Sequence, residues 1–186
     1  MIFNKITGGG NLKTIERGVI EAINFRLPIK INRVLLKGFT FDLGSQIDFI
    51  DKYKLKIKLL DLYWTPSSAS HYSDYYISPQ EALFPFISKL GYKQLNELTT
   101  SKRKRYTFQT QNGGSVEYKI KETAKKTHTN CLNCSFITEC LEGYGDYFRV
   151  FPDKSGSLCY LRKDLQSYDF DSILQKVFCL FVKSSV

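Results

Sequence analysis

The sequence predicts an α/β fold whose second half is rich in strands. Before residue 65, apolar residues recur first at helical spacing and then at strand spacing, and this helix–strand unit occurs twice in succession. After residue 100, β-rich runs flank glycine-containing turns. Short connections between helix–strand units are typical of parallel strands joined by crossover helices.

Four stretches define the two predicted units. Asn11 caps a helix in "NLKTIERGVIEAINFRL", and "IKINRVLL", which follows Pro28, reads as a buried strand. "LGSQIDFIDKY" predicts a short helix and "LKIKLLDLY" a second strand, with a break between them at Lys54. The alternation indicates a parallel layer.

The next stretches complete the first half of the chain. "WTPSSASHYSDYYISPQ" is polar and turn-rich, which predicts a surface loop at the carboxyl end of the second strand, where α/β folds place their ligands. Ser78 and Pro79 begin a helix in "PQEALFPFISKLG", and Pro85 should shorten or kink it.

The second half predicts two hairpins and a closing helix. "RYTFQT" and "SVEYKI" flank an Asn-Gly turn, and "YFRVFP" and "SLCYL" flank "DKSG". Apolar residues between Phe170 and Phe181 share a helical face. The change of pattern predicts two domains, residues 1–97 and residues 98–186.

The charge and composition limit the partners of the chain. Twenty-seven Lys and Arg against 18 Asp and Glu give a net charge of +9 over 186 residues, which favours anionic partners.

No apolar run approaches the roughly 20 residues that span a bilayer, and no secretory signal is evident, so the sequence predicts a cytoplasmic protein without membrane contact. Clustered cysteines in that compartment are typical of metal or redox sites rather than of disulfides.

Four of the five cysteines lie in one quarter of the chain with the spacing C-x2-C-x5-C-x18-C; they are Cys131, Cys134, Cys140 and Cys159. Four thiolates suit either zinc or a 4Fe–4S cluster, and the absence of a second close pair favours iron and sulfur over a zinc ribbon. If Cys140 is the fourth ligand the cluster is closed. If it is not, one iron stays open to a substrate atom and can act as a Lewis acid.

The remaining candidate residues carry weaker signals. His128, three residues before the first cysteine, could be a ligand, although an exposed histidine in a polar turn is the simpler interpretation. His71 lies in the polar loop, and Cys179 reads as an apolar filler of the closing helix. Two histidines with no nearby Ser or Cys arrangement give no support to a hydrolytic triad.

The stretches "ITGGGNLKTIERGVIEAINFRLPIKINRVLLKG" and "NCLNC...YFRVFPDKSGSLCYLRKDL" resemble the carboxyl-terminal part of the radical S-adenosylmethionine enzymes related to molybdenum cofactor biosynthesis protein A, a family that includes a GTP cyclase. The resemblance implies a partial (β/α) barrel followed by a module with an auxiliary 4Fe–4S cluster. It also implies that Lys30 and Arg149 contact an anionic substrate.

The chain departs from that family in three respects. It has no CxxxCxxC loop, so it would use S-adenosylmethionine only with a complementary N-terminal part. Tyr147 stands where the GTP cyclase has an arginine, which argues against GTP, and Cys140 is additional. A barrel without its first strands exposes a parallel edge before "IKINRVLL", which predicts a partner chain or self-association there. Met1 could begin a truncated or split gene product, or a fragment.

Two other functions compete with this interpretation. One is a zinc-stabilised module that binds nucleic acid through its positive charge and through Tyr106, Tyr118 and Tyr147. No RNA-binding signature is present, and tyrosines in strands are more often packing residues, so nucleic acid is the weaker candidate. The other is a structural metal protein that docks a partner through the open edge.

Overall fold

The computed structural model of the chain describes residues 2–40, 42–97, 104–119, 126, 128–140, 143–144, 148–153, 155–159 and 161–162. Within those ranges, no helix is both long enough and apolar enough to cross a membrane. The predicted closing helix and Cys179 lie outside the described residues, as does Tyr147.

The described helices and strands are mostly short. The helices are α1 (Ile2–Thr7), α2 (Leu12–Asn24), α3 (Leu43–Lys52), α4 (Ala69–Tyr75), α5 (Pro79–Leu83) and α6 (Thr129–Leu132). The strands are β1 (Lys30–Val34), β2 (Lys56–Leu60), β3 (Leu90–Glu97), β4 (Lys104–Thr110), β5 (Ser115–Lys119), β6 (Arg149–Val150) and β7 (Gly156–Ser157). These elements confirm the α/β class.

The chain divides into two compact units that are discontinuous in sequence. The first unit comprises Met1–Leu62, Tyr76–Leu95 and Tyr106–Lys119. The second comprises Tyr63–Tyr75, Asn96–Arg105 and Ile120–Val186. The predicted division into domains near residue 97 stays a prediction.

One five-stranded mixed sheet has the order β1-β2-β5-β4-β3. The predicted pair of parallel strands is present, since β1 pairs in parallel with β2 from Lys30↔Lys56 to Val34↔Leu60. The hairpin predicted around the Asn-Gly turn is also present, and its strand β5 pairs in parallel with β2. The hairpin therefore extends the same sheet.

Apolar residues on one face of the sheet form the core of the first unit. Ile57 and Leu59 of β2 and Val116 of β5 are at most 1 % exposed. Residues of α3 complete this core at a similar depth, namely Leu43, Ile47 and Ile50. Burial of each such side chain stabilises the fold by about 1.5–3 kcal/mol.

The first strand differs from its prediction. The stretch "IKINRVLL" was expected to be buried, but β1 alternates between exposed and half-buried residues, and Val34 is 48 % exposed. The reason is its position, because β1 is an edge strand among the described residues. An edge strand has a neighbouring strand on one side only, so fewer residues surround its side chains than surround those of an inner strand.

Two other regions show how prolines and short polar residues shape the chain. Ser78 caps α5 as predicted, by accepting a hydrogen bond from the N–H of Glu81 at 3.2 Å. Pro85 follows α5, and the chain continues as a 3-10 helix from Phe84 to Lys89. The predicted polar loop is mostly helical instead, because Thr65 caps a 3-10 turn at Pro66–Ser68 that leads into α4.

Candidate metal centre

The four clustered cysteines line one cavity of the second unit. Cys131 lies in α6, and Cys134 and Cys140 lie in the turns that follow it. Cys159 follows β7, which pairs antiparallel with β6 and so confirms the second predicted hairpin. All four are half-buried and none of them forms a disulfide. The segments that carry them therefore meet around one cavity.

Backbone hydrogen bonds hold the first three cysteines in tight turns. The N–H of Cys134 donates to the carbonyl of Cys131 at 3.0 Å, which closes the Cys-x-x-Cys turn. The N–H of Cys140 donates to the carbonyl of Phe136 at 2.8 Å. Phe136 in turn packs on Trp64, with ring centroids 5.5 Å apart. The segment between the cysteines is thus anchored by an aromatic pair.

The hairpin supplies the fourth cysteine. Asp153 caps the turn between β6 and β7, where its carboxylate accepts hydrogen bonds from the hydroxyl and the N–H of Ser155. These two bonds lower the pKa of Asp153. The N–H of Cys159 then donates to the Ser157 hydroxyl at 3.0 Å, and Ser157 is fully buried. The loop geometry therefore fixes where Cys159 enters the cavity.

Two groups that the sequence analysis did not identify contact the thiols or share their cavity. The N–H of Tyr144 donates to the sulfur of Cys131 at 3.2 Å. Lys126 lines the cavity and donates from its ammonium to the carbonyl of Ile137. Nothing in "AKKTHTNC" distinguishes Lys126 from its neighbour, and a backbone donor leaves no side-chain signature.

The predicted histidines do not join the cysteines. His128 is exposed, and its Nδ1 accepts the N–H of Asn130 at 3.1 Å at the start of α6. Its ring stacks on Tyr144, with centroids 4.3 Å apart. His71 is an exposed residue of α4. His128 therefore acts as a helix cap and a stacking partner.

The donor set suits a thiophilic centre, because thiolates are the preferred ligands of zinc and of iron–sulfur clusters. A lysine and a backbone N–H beside the sulfurs also suit it, since both stabilise negative charge on thiolates. The cavity volume is about 20 Å³, room for a body the size of one water molecule.

Among the described residues, no group of three or more His, Cys, Asp and Glu side chains is arranged to hold a metal ion. The cysteines thus share a cavity without converging on one point. An open groove of about 570 Å³ lies beside the cavity and shares Cys134 and Leu161 with it. Asn133 and Arg162 contribute polar groups to this groove.

The two residues predicted to contact a substrate lie in different units. Lys30 begins β1, and its ammonium forms an ion pair with Glu117 of β5 at 3.0 Å. Arg149 begins β6 and is half-buried. Their joint contact with one substrate stays a prediction.

The tyrosines of the nucleic-acid alternative are packing residues where the structure describes them. Tyr118 is 4 % exposed, and its ring stacks on Tyr106 with centroids 5.2 Å apart. Burial and the proximity of Tyr106 raise the pKa of Tyr118. Tyr118 is buried and one face of the half-buried Tyr106 ring is covered by it, so the pair is a poor platform for stacking a base.

These features define an α/β protein with a cysteine-lined cavity. No protein-family model matches the chain. The chain is 26 % identical to the GTP 3′,8-cyclase of Clostridium botulinum strain Okra over 141 residues, which are 74 % of this chain and 40 % of that protein. It is 23 % identical to the probable GTP 3′,8-cyclase of Thermococcus kodakarensis over 165 residues, 88 % of this chain and 49 % of that protein.

The chain therefore spans less than half the length of these curated relatives. The similarity is distant, and it supports the resemblance to the radical S-adenosylmethionine family that the motifs indicate.

Proposed function

We propose that the chain is the substrate and auxiliary-cluster part of a radical S-adenosylmethionine protein, and that its cysteine-lined cavity holds a 4Fe–4S cluster. The observation that carries the proposal is the meeting of Cys131, Cys134, Cys140 and Cys159 around one cavity. The distant similarity to GTP 3′,8-cyclases supports it. A bound cluster would supply electron transfer or, with one iron left open, a Lewis acid.

The residues around the cavity have distinct parts in this proposal. Cys140 lines the same cavity as the other three cysteines, which supports a closed set of four thiolates. The Tyr144 N–H donates to the sulfur of Cys131, and such hydrogen bonds to ligand sulfurs are one of the features that tune bound clusters. The Lys126 ammonium offsets part of the negative charge that four thiolates bring into a partly apolar site.

Lys30 and Arg149 are proposed to bind an anionic substrate, because a strand-end cation can neutralise carboxylate or phosphate oxygens. The ion pair of Lys30 with Glu117 adds a condition to this proposal. An anion that binds Lys30 must compete with the Glu117 carboxylate. Glu117→Gln should therefore strengthen anion binding, whereas Lys30→Met should weaken it.

The radical step is proposed to depend on a segment that these 186 residues do not contain. The sequence given has no CxxxCxxC segment, which is the family's motif for the cluster that cleaves S-adenosylmethionine. These residues would then position the substrate and the auxiliary cluster, and the CxxxCxxC segment would generate the radical. The 186 residues alone should show no turnover.

The test is the metal and sulfide content of protein prepared without oxygen and supplied with iron and sulfide. We expect about four irons and four sulfides per chain, retained in Cys179→Ser and lost in Cys134→Ser. Cys179 is the matched control because it lies outside the four-cysteine motif. Cluster content unchanged in Cys134→Ser would refute the site.

The zinc-stabilised module is the second candidate, because four thiolates suit zinc as well as an iron–sulfur cluster. One zinc per chain with no sulfide would establish it in place of the cluster. Binding to single-stranded oligonucleotides that weakens steeply with salt would then separate a nucleic-acid module from a module that docks a protein.

A further inference from the structure

The groove beside the cysteine cavity is formed by three separate segments of the second unit. Its volume is about 570 Å³, and its lining residues are Pro66, Asn133, Cys134, Ser135, Phe136, Leu161 and Arg162. All of these residues belong to the second unit. A groove of this size that combines apolar walls with a few polar groups is typical of sites for small organic ligands.

Contacts within the second unit hold the apolar wall of the groove in place. Pro66 begins a 3-10 turn that is closed by a capping box. Trp64, two residues earlier, packs its ring on that of Phe136, with centroids 5.5 Å apart. Leu161 is 8 % exposed. The aromatic pair thus ties the segment that carries Pro66 to the segment that carries the cysteines.

The polar groups of the groove suit an anion. Arg162 is half-buried, and a guanidinium can bind a carboxylate or a phosphate through two parallel hydrogen bonds. The side chains of Asn133 and Ser135 can donate hydrogen bonds to the same oxygens. Among the described residues that line the groove, none carries a carboxylate, so the charge of its lining is positive.

We propose that this groove binds a small organic anion, with its acidic group on Arg162 and its apolar body against Phe136 and Leu161. The apolar wall adds affinity by removing the body of the ligand from water. The acidic group gives specificity, because a neutral ligand would leave the guanidinium without a counter-charge in a partly buried site.

This inference goes beyond the proposed function, because the groove is lined by neither Lys30 nor Arg149 and does not require a cluster. Cys134 lines both the groove and the cysteine cavity. A ligand in the groove would therefore lie beside one thiol of the proposed metal centre.

The test is a calorimetric titration of the full chain, as prepared for the metal analysis, with two pairs of probes. Phenyl phosphate is compared with phenol, and phenylacetate with phenylacetamide, so that each pair shares its apolar body and differs in charge. We expect at least one anion to bind about tenfold more tightly than its neutral partner. The pair that shows this difference identifies the acidic group as phosphate or carboxylate.

Two variants test the groove, each with a matched control. Arg162→Met should weaken binding of the anionic probe about tenfold, whereas Arg17→Met removes the same charge from the exposed surface of α2 and should not. Asn133→Asp should also weaken binding, because it places a negative charge on the lining of the groove. Asn24→Asp, at an exposed position of α2, is its control and should leave binding unchanged.

Trp64 reports where the probe binds. It is the single tryptophan of the chain, and its ring contacts that of Phe136 in the groove. Its emission should change over the same probe concentrations as the heat of binding. The proposal would be overturned by the absence of binding of either anion, by equal affinity for charged and neutral probes, by unchanged affinity in both groove variants, or by binding that leaves the emission of Trp64 unaltered.

Metal and sulfide content of the same preparations separates this inference from the proposed function. A chain that contains the cluster but binds neither anion refutes the groove site alone. A chain that binds an anion through Arg162 but contains no cluster refutes the cluster alone.

Discussion

The described residues of the two units differ in what lies at their centre. In the first unit, α3 and the inner strands bury a set of apolar side chains almost completely. In the second unit, the buried hydrophobic residues among those described are Leu158 and Leu161, at 7 % and 8 % exposure, and they adjoin the cysteines. In the proposed function, a metal centre bound by these cysteines cross-links the segments that carry them. The comparison separates a described core of packed apolar side chains from a described centre built around thiols.

The largest expected effect is on the second unit. In Cys134→Ser, we expect loss of the proposed metal centre and fast amide hydrogen exchange in the described residues between 128 and 162, because the segments that carry the cysteines lose their cross-link. Exchange in β2 and β5 should be unchanged. Slow exchange in residues 128–162 of the metal-free variant would show that the second unit folds on its apolar contacts alone.

The first unit should respond to packing. Ile57→Ala deletes buried methyl groups beside Val116 on the core face, so the free energy of unfolding should fall by about 2–5 kcal/mol in a denaturant titration. Metal content of the folded fraction should stay constant. Ile87→Ala, at an exposed position, is the control and should change stability by less than about 0.5 kcal/mol. Equal effects of the two variants would contradict the assignment of the core.

The charge of Lys126 offers a finer test of the second unit. A cation near the thiolates stabilises the added electron of the reduced cluster, so removing it disfavours the reduced state. Lys126→Met should therefore lower the reduced-to-oxidised ratio of the cluster about tenfold at a fixed potential. This corresponds to a reduction potential that is lower by about 59 mV. Spectroscopic titration measures it at unchanged iron content. Lys56→Met, an exposed site in the first unit, should leave the ratio unchanged. An unaltered potential in Lys126→Met would show that its ammonium does not act on the cluster.

The smallest expected effect concerns pH. The Thr110 hydroxyl and the backbone and side-chain N–H groups of Asn112 lower the pKa of Asp51 below its ordinary 3.8. A carboxyl with a depressed folded-state pKa stabilises the fold above its unfolded pKa, and this contribution is lost as pH falls through the folded pKa. Asp51→Asn should flatten the acid side of the stability profile below about pH 4 in unfolding titrations. A stability profile identical to that of the wild type would show that the contact between Asp51 and Asn112 does not make the fold sensitive to acid.

Local patterns in the sequence were sufficient to predict most of the first unit. Asn11 caps α2 by accepting the N–H of Thr14, and the break at Lys54 has a left-handed φ of 54°. Each feature depends on residues close in the chain, so periodicity and capping rules find it. The prediction that β1 is buried was wrong, because the burial of a strand depends on the strands beside it in the sheet. Those neighbours are distant in sequence, so local patterns do not reveal them.

The candidate site was predictable in its cysteines and not in its surroundings. Their spacing in the sequence was enough to predict that the four cysteines act together, and in the structure all four line one cavity. Lys126 and the N–H of Tyr144 could not be predicted, since their contacts with Ile137 and Cys131 depend on how irregular segments 11 and 13 residues apart fold back on one another. The helical content between residues 66 and 75 was missed because Ser and Thr serve turns and helix caps equally well.

The position of β5 in the sequence affects how the chain folds during its synthesis. Its parallel partner β2 precedes it by about 60 residues, so the inner strand pair cannot close until both have left the ribosome. Until β5 has been synthesised, the apolar side chains of Ile57 and Leu59 would lack this neighbouring strand and would be more exposed to water. Slow translation or early release before residue 115 would therefore yield a product that depends on chaperones.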